Sequence, residues 1–428
     1  MNFLMNDLKR ELTFLLRKKN VKILLVFAFA LSVFSVTTGL LEINKQEETI
    51  ARLVEYDNAD RQGVLKKYTG YGNLAYYSRH LTYSPPSSLA FAAIGQRDVL
   101  PWKHRVKILA LEGQIYETDA DNPELAYVGR IDFAFLMSVL APLFVILLLH
   151  DVRAVERTER RYDLLITTSQ SAERLWITRI VVGVISLATV LFVPFIIAAL
   201  ISNAPWGDVI SVLLICIAQL LFWSVVCYWV GKIKASAPQL ASMLLGLWLV
   251  TTMIIPVTGA KFINEAVESP EGGDIVLTQR EMVNGAWDKP FDATFDEFLK
   301  THPQWQDHVE MTSSFDWKWY YAFQQVGDQT AEPLSLAYRQ ATQRKDELAG
   351  TVALFSPAML VQRALTRVAK TDMHTMQQYQ QSIRDFHAEL RHFYYPFLFN
   401  ATPYDKNDIK KRPEYTPLVN NEANAKGA

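Results

Sequence analysis

The side chains best suited to chemistry in this chain are two cysteines, eight histidines, and a dense set of arginines and carboxylates around position 157. Cys216 and Cys227 share one apolar run and match neither a metal-ligand spacing nor a redox pair, so they read as small apolar residues of a membrane helix. His387 and His392 stand five apart, off a common helical face, which argues against a metal site. Gly70-Tyr71-Gly72 reads as a turn, not a nucleotide loop. There is no Gly-x-x-x-x-Gly-Lys-Ser/Thr loop, no His-Glu-x-x-His pair and no Gly-x-Ser-x-Gly elbow. The expectation is therefore a chain that is not an enzyme, with no catalytic or metal-ligating residues. What stands out is a charged cluster: Arg153, Glu156, Arg157, Glu159, Arg160 and Arg161.

The element that positions this cluster precedes it directly. Ile131 to Leu149 is an apolar run interrupted by Asp132 near its start and Pro142 near its middle. About 19 such residues rise roughly 28 Å as a helix, enough to cross the hydrocarbon core of a bilayer. The arginines that follow place residues 151–174 in the cytoplasm by the positive-inside bias. From that orientation the rest of the topology follows. Residues 1–20 set leucines and phenylalanines at helical spacing among lysines and arginines, an amphipathic helix on the cytoplasmic membrane surface. The spans are residues 21–41, 131–150, 175–201, 208–230 and 239–258. The loop between the third and fourth, Ser202 to Gly207, has no Lys or Arg and suits the outer side, while Lys232 and Lys234 mark a second, short cytoplasmic loop.

Half of the 428 residues are hydrophobic, yet the formal net charge is −1 and mean hydropathy is near neutral, as expected when very apolar and very polar stretches alternate. That charge balance gives no argument for nucleic-acid binding. Two polar stretches remain. Residues 42–130 have helical character over Ile43 to Lys67, turn signals at Ser84-Pro85-Pro86 and Asp121-Asn122-Pro123, and short pieces such as Val106 to Leu111 suited to strands. Residues 259–428 read as mostly helical, with Ala337 to Leu348, Ala358 to Ala369 and Asp372 to Tyr394 as helices; Ser356-Pro357 supplies a cap and a first-turn proline. The fold expected is a mainly α membrane protein with about five transmembrane helices and two extracytoplasmic domains, the first mixed α/β and the second mostly helical. The N-terminus is then cytoplasmic and the C-terminus outside.

Within the charged loop, Val152, Val155, Tyr162, Leu165 and Ile166 recur at helical spacing, the pattern of one amphipathic helix beneath the membrane. Such a helix either lies on anionic lipid or presents a charged ridge to a cytoplasmic partner. Glu156, Glu159 and Asp163 favour the partner, because an anionic surface repels them. Asp132 reads as an interfacial carboxylate touching water, with a polar anchor between the outer domain and the second span as the alternative. Pro142 removes a backbone donor and is expected to kink its helix, a candidate hinge. The aromatic run His392 to Phe399 suits either the outer leaflet or a helix-bundle core.

These residues carry a resemblance. Gly95-Gln96-Arg97-Asp98-Val99-Leu100-Pro101, Asn122-Pro123 followed by Gly129-Arg130-Ile131-Asp132-Phe133, Ala141-Pro142-Leu143 and the loop Glu156 to Leu165 are similar to the ABC-2 type transporter permeases of bacteria, in the group with large extracytoplasmic insertions. Phe222-Trp223, Trp248, Ile255-Pro256, Leu354-Phe355-Ser356-Pro357 and Ala369-Lys370-Thr371-Asp372 continue it. The resemblance implies a multi-pass protein of the bacterial inner membrane. It makes the helix around Arg153, Glu156, Arg157, Glu159, Arg160 and Arg161 the coupling element for an ABC ATP-binding subunit, and residues 1–20 an elbow into the first span. It implies no cofactor of this chain's own, ATP being held by the partner. Further partners expected are a second permease copy or homologue, membrane lipids and a periplasmic protein. Such permeases usually end with a sixth span, whereas this chain continues through Pro417-Leu418-Val419 into the polar tail Asn420 to Ala428, a five-span variant or a shortened chain. The rival reading is a membrane-anchored scaffold or assembly protein whose outer domains bind partners.

Overall fold

A computed structural model describes residues 2–117, 131–168, 171–311 and 313–418. The turn Asp121-Asn122-Pro123, Gly129-Arg130 and the tail Asn420 to Ala428 lie outside the described residues. The chain is mainly helical, and five helices are long and apolar enough to cross a membrane: Lys19–Lys67, Phe133–Thr158, Glu173–Ile201, Trp206–Val230 and Ala237–Ala266.

Helix α1 (Asn2–Arg17) stops at Lys18, whose extended backbone (φ −73°, ψ 116°) makes a one-residue elbow into α2 (Lys19–Lys67). The first apolar run thus does not end where its hydropathy ends. Gln46, Arg52 and Asp57 ride on the same unbroken helix, which carries on for 49 residues into the polar lobe. Short elements follow: α3 (Tyr71–Tyr77), β1 (His80–Tyr83), β2 (Lys103–Val106) and α4 (Glu112–Tyr116). The strands pair antiparallel, His80 opposite Val106 and Tyr83 opposite Lys103. Strand structure therefore ends where Val106 to Leu111 was expected to begin it, because the Gln114 side chain ties down the backbone of Lys107 and Ala110.

The second apolar helix is assembled from α5 (Phe133–Phe135), a π-helical turn at Leu136–Leu140 and α6 (Ala141–Leu149). A π turn admits one extra residue, which here removes the clash that Pro142 would cause in an unbroken α-helix. The same device recurs where α11 (Ala237–Leu249) passes through a π turn at Val250–Ile254 into α12 (Ile255–Ala266), which opens with Ile255-Pro256. Between them, α7 (Ala154–Thr158), α8 (Tyr162–Thr168), α9 (Ala172–Ile201) and α10 (Trp206–Val230) complete the apolar half. Helix α9 packs along α2, and α10 against α6. The hydroxyl of Ser32 reaches the Leu191 carbonyl at 2.7 Å, tying the first apolar helix to the third.

The polar half holds α13 (Gly272–Gly285), α14 (Phe291–Leu299), α15 (Trp317–Ala353), α16 (Pro357–Val368), α17 (Met373–Phe399) and α18 (Lys406–Ile409). Ser356 caps α16, as the sequence pattern anticipates, and Asp372, expected as the first residue of its helix, caps α17; each accepts a first-turn N–H. The two polar stretches, expected as separate domains, share a core. Tyr71, Leu74 and Ile108 pack with Phe298, Trp319, Tyr321 and Tyr394. The aromatic run is part of that core: Tyr394, Tyr395 and Phe399 are buried, and Phe399 stacks on Phe298 at 5.2 Å.

Two segments from the polar stretches leave this lobe and enter the apolar core. Helix α16 buries Val361 and Leu365 against α10 and both π turns. The non-helical segment Leu89 to Ile94 is buried throughout, with Phe91 6.0 Å from Phe195. Irregular backbone is tolerated in such a place only if its polar groups are paired. Ala134 N–H donates to Ala92 O (2.8 Å), the Thr371 hydroxyl to Ala93 O (2.7 Å) and Gln96 N–H to Thr371 O (2.8 Å).

Candidate functional site

The charged cluster folds as a corner, not as one amphipathic helix. Helices α7 and α8 are separated at Glu159-Arg160-Arg161, where Arg160 adopts φ 53°. This left-handed conformation costs a non-glycine residue on the order of 1–2 kcal/mol. The Arg161 N–H returns to the Glu156 carbonyl at 2.9 Å, closing the turn. Helical spacing alone gave no sign of the break, because apolar residues recur correctly on either side of it.

Three of the six residues point into the protein. Arg153, whose side chain is 6% exposed, lies between the rings of Trp176 (5.6 Å) and Tyr228 (4.8 Å) and pairs with Glu173 at 3.2 Å. Arg157 donates to the carbonyl of Ile233 at 2.7 Å, just beyond the end of α10, and covers the Tyr162 ring. A cation there meets the negative end of the helix dipole. Glu156 pairs with Arg179 (2.8 Å) and Arg161 (2.9 Å), and Arg179 continues to Glu11 on α1 (3.1 Å). Burial pushes the Glu156 carboxyl upward, but hydrogen bonds from Arg179 and Arg161 outweigh it and hold the group below the usual carboxylate range. Arg174 reaches Asp7 at 3.0 Å, a second tie to α1.

Glu159, Arg160 and Arg161 remain on the surface, with Leu164 62% exposed beside them. The corner is thus a charged tip braced from behind to α1, α9 and α10. Beside the brace, α1, the start of α2, the end of α6, the loop and the start of α9 line a half-open cavity of about 1240 Å³. A smaller cavity of about 390 Å³ lies in the polar half beside Tyr83, Arg367, His374 and Tyr415.

Asp132 is not a water-touching carboxylate. It is 5% exposed, caps α5 by accepting from Phe135 N–H (2.8 Å) and accepts from Ile94 N–H (2.9 Å), so it fastens the Leu89 to Ile94 segment to the second apolar helix. Pro142 lies beside a polar crossing that sequence reasoning missed. Gln219 Nε2 donates to Ser138 O (3.3 Å), Trp248 Nε1 to Val139 O (3.1 Å), and the Ser138 hydroxyl to Gln362 Oε1 (3.2 Å). Proline inside an apolar run was the one local signal that unpaired carbonyls would need partners from elsewhere.

Among the described residues no cluster of three or more His, Cys, Asp or Glu side chains could hold a metal ion. Cys216 and Cys227 are free and buried in α10. His387 is buried and donates through Nε2 to backbone carbonyls, 2.8 Å from that of Leu109, while His392 is exposed. Gly70, at φ 94°, precedes α3, and the Tyr71 hydroxyl accepts from Asp405 N–H at 3.0 Å, so Gly70-Tyr71-Gly72 is structural.

Residues 275–417, about a third of the chain, match DUF3526, a domain of unknown function. The match begins in α13 and takes in α16, the helix that packs into the apolar core. No curated protein and no solved structure is detectably similar to the chain.

Proposed function

We propose that this chain is the membrane-spanning permease subunit of a bacterial ABC-2 type transporter, set in the inner membrane with the charged corner in the cytoplasm. The observation that carries the reading is the corner itself. An exposed Glu159-Arg160-Arg161 tip is joined by ion pairs and ring contacts to the amphipathic α1 and to the third and fourth apolar helices. A force applied there reaches two spans and the helix that leads into a third through groups already in contact, which is what coupling to an ATP-binding subunit requires. The resemblance noted above supports the same assignment, and the concentration of arginine in residues 151–174 supports the orientation.

On this reading two ATP-binding subunits close on ATP, push the corners of two permease copies or of a permease and a homologue, and rearrange the apolar helices. The lobe built from residues 42–117 and 272–418 then moves with α2 and α16, the elements it shares with the apolar half. Substrate export, extraction of an amphipathic molecule and movement of a periplasmic partner are all served by such a stroke.

The test is co-purification with the candidate ATP-binding subunit, followed by ATPase assay. Glu159→Lys with Arg160→Glu alters the exposed tip and leaves the brace intact; it should release the ATPase while the variant elutes as the native chain does. If no ATP-hydrolysing subunit accompanies the native chain, the scaffold reading replaces this one, and the polar lobe becomes the functional part.

A further inference from the structure

The cavity between α1 and the apolar helices has a sharply divided lining. The apolar residues Phe14, Ile23, Phe27 and Leu147 are 49, 58, 54 and 52% exposed. The charged side of the lining carries five cationic and three anionic side chains. Arg10 is engaged by Asp7 and Glu11, Arg179 by Glu11 and Glu156, and Arg161 by Glu156 and Glu159. The cationic excess therefore falls on Lys18 and Lys19, both exposed and in no ion pair among the described residues.

We infer that this cavity is a binding site for one anionic phospholipid, its phosphate held by Lys18 and Lys19 and its acyl chains laid along Phe14, Ile23, Phe27 and Leu147. The two lysines sit at the elbow where the amphipathic α1 gives way to the apolar start of α2. That is the level at which headgroups meet hydrocarbon, and lysines there keep their charge in the polar layer. The volume, about 1240 Å³, exceeds the roughly 300–1,000 Å³ of ordinary small-molecule sites and has room for a two-chain lipid. A protein segment would need its own acidic and apolar ends in this order, whereas every anionic phospholipid has them.

The far wall includes Val155, Glu156, Arg161 and Leu165, so a bound lipid presses on the back of the charged corner and stiffens the brace between α1 and α7. Its place in the inner leaflet rests on the orientation proposed above. Its preference for an anionic headgroup does not, and the test uses no ATP-binding subunit, so it can fail while the permease reading stands.

The full chain is purified in a non-ionic detergent and delipidated, and its thermal midpoint is followed while phosphatidylglycerol, phosphatidylcholine of the same acyl chains, or glycerol phosphate is added. Phosphatidylglycerol should raise the midpoint saturably, and the other two should not. Lys18→Gln with Lys19→Gln should raise the half-saturating concentration on the order of 30-fold and leave the lipid-free midpoint unchanged. Lys66→Gln with Lys67→Gln, at the far end of α2, should leave the titration as it is. Ile23→Trp should abolish the response with both lysines present, by filling the acyl groove. Equal stabilisation by phosphatidylcholine, equal loss in both lysine pairs, or saturation by glycerol phosphate alone would each overturn the inference.

Discussion

Gln219 on the fourth apolar helix donates to the carbonyl of Ser138 on the second, at 3.3 Å. In an unbroken α-helix that carbonyl would take the N–H of residue 142, and residue 142 is proline. One polar side chain in an apolar helix thus answers a vacancy that a proline 77 positions earlier creates. Gln219→Leu should destabilise the chain by about 1 kcal/mol in thermal unfolding in detergent. Pro142→Ala restores an N–H at 142, so in that background the same change should cost measurably less. Equal costs in the two backgrounds would show the bond to be incidental.

Gly39 permits the closest approach between the first apolar helix and the buried segment Leu89 to Ile94. A Cβ at 39 would stand 2.0 Å from the Phe91 carbonyl oxygen, a backbone atom that cannot rotate away. Gly39→Ala should cost about 2 kcal/mol or more. Gly63, on the same helix with open space around it, makes the internal comparison. Gly63→Ala should instead stabilise by about 0.5–1 kcal/mol through helix propensity. Urea midpoints of the two variants, measured side by side, decide the matter.

Arg160 occupies the one strained position in the charged corner. If only stability governed the site, glycine would serve better, and Arg160→Gly should raise the stability of the isolated chain by about 1 kcal/mol. The same change removes a tip charge, so on the permease proposal affinity for an ATP-binding subunit should fall as the thermal midpoint rises. A rise in both would argue that the corner is not a docking element.

Glu112 and Arg384 form a paired, buried contact in the polar lobe, 2.8 Å through each carboxylate oxygen, with side chains 5 and 10% exposed. Burial raises the carboxyl, and the bonds from Arg384 and Ser335 more than reverse this, so its folded value lies below its unfolded one. The stability it contributes is therefore complete above the ordinary carboxylate range and is lost as pH falls through the depressed value. At pH 7, Glu112→Gln should cost about 3–5 kcal/mol by leaving Arg384 unpaired. Between pH 5 and pH 3 the gap between native and variant should narrow, which unfolding midpoints across that range would reveal. Glu347→Gln, at an exposed pair with Arg344, should change stability by less than about 0.5 kcal/mol at either pH.

Much of this molecule is written locally. The five apolar helices are legible because a run of apolar residues has nowhere to go but hydrocarbon or a core, whatever surrounds it. The cap at Ser356-Pro357 is legible because a cap acts on the next few N–H groups only. The arginine-rich loop was legible as a charged segment, although neither its break at Arg160 nor the inward turn of Arg153, Glu156 and Arg157 was. No residue there breaks helical periodicity, and the turn is held by contacts to α9 and the end of α10.

The partners of buried polar groups were decided only in three dimensions. Asp132 finds Ile94, Gln219 finds Ser138 and Arg153 settles between Trp176 and Tyr228, pairings whose worth depends on burial that no short window of sequence records. Helix α16 looks like any amphipathic helix of a soluble lobe, yet its apolar face is claimed by the apolar bundle. The apolar runs determined by themselves that five stretches of this chain must leave water. Which polar residues follow them there, and what they hold on to, was set by tertiary packing, because an unpaired polar group out of water costs more than any local preference can return.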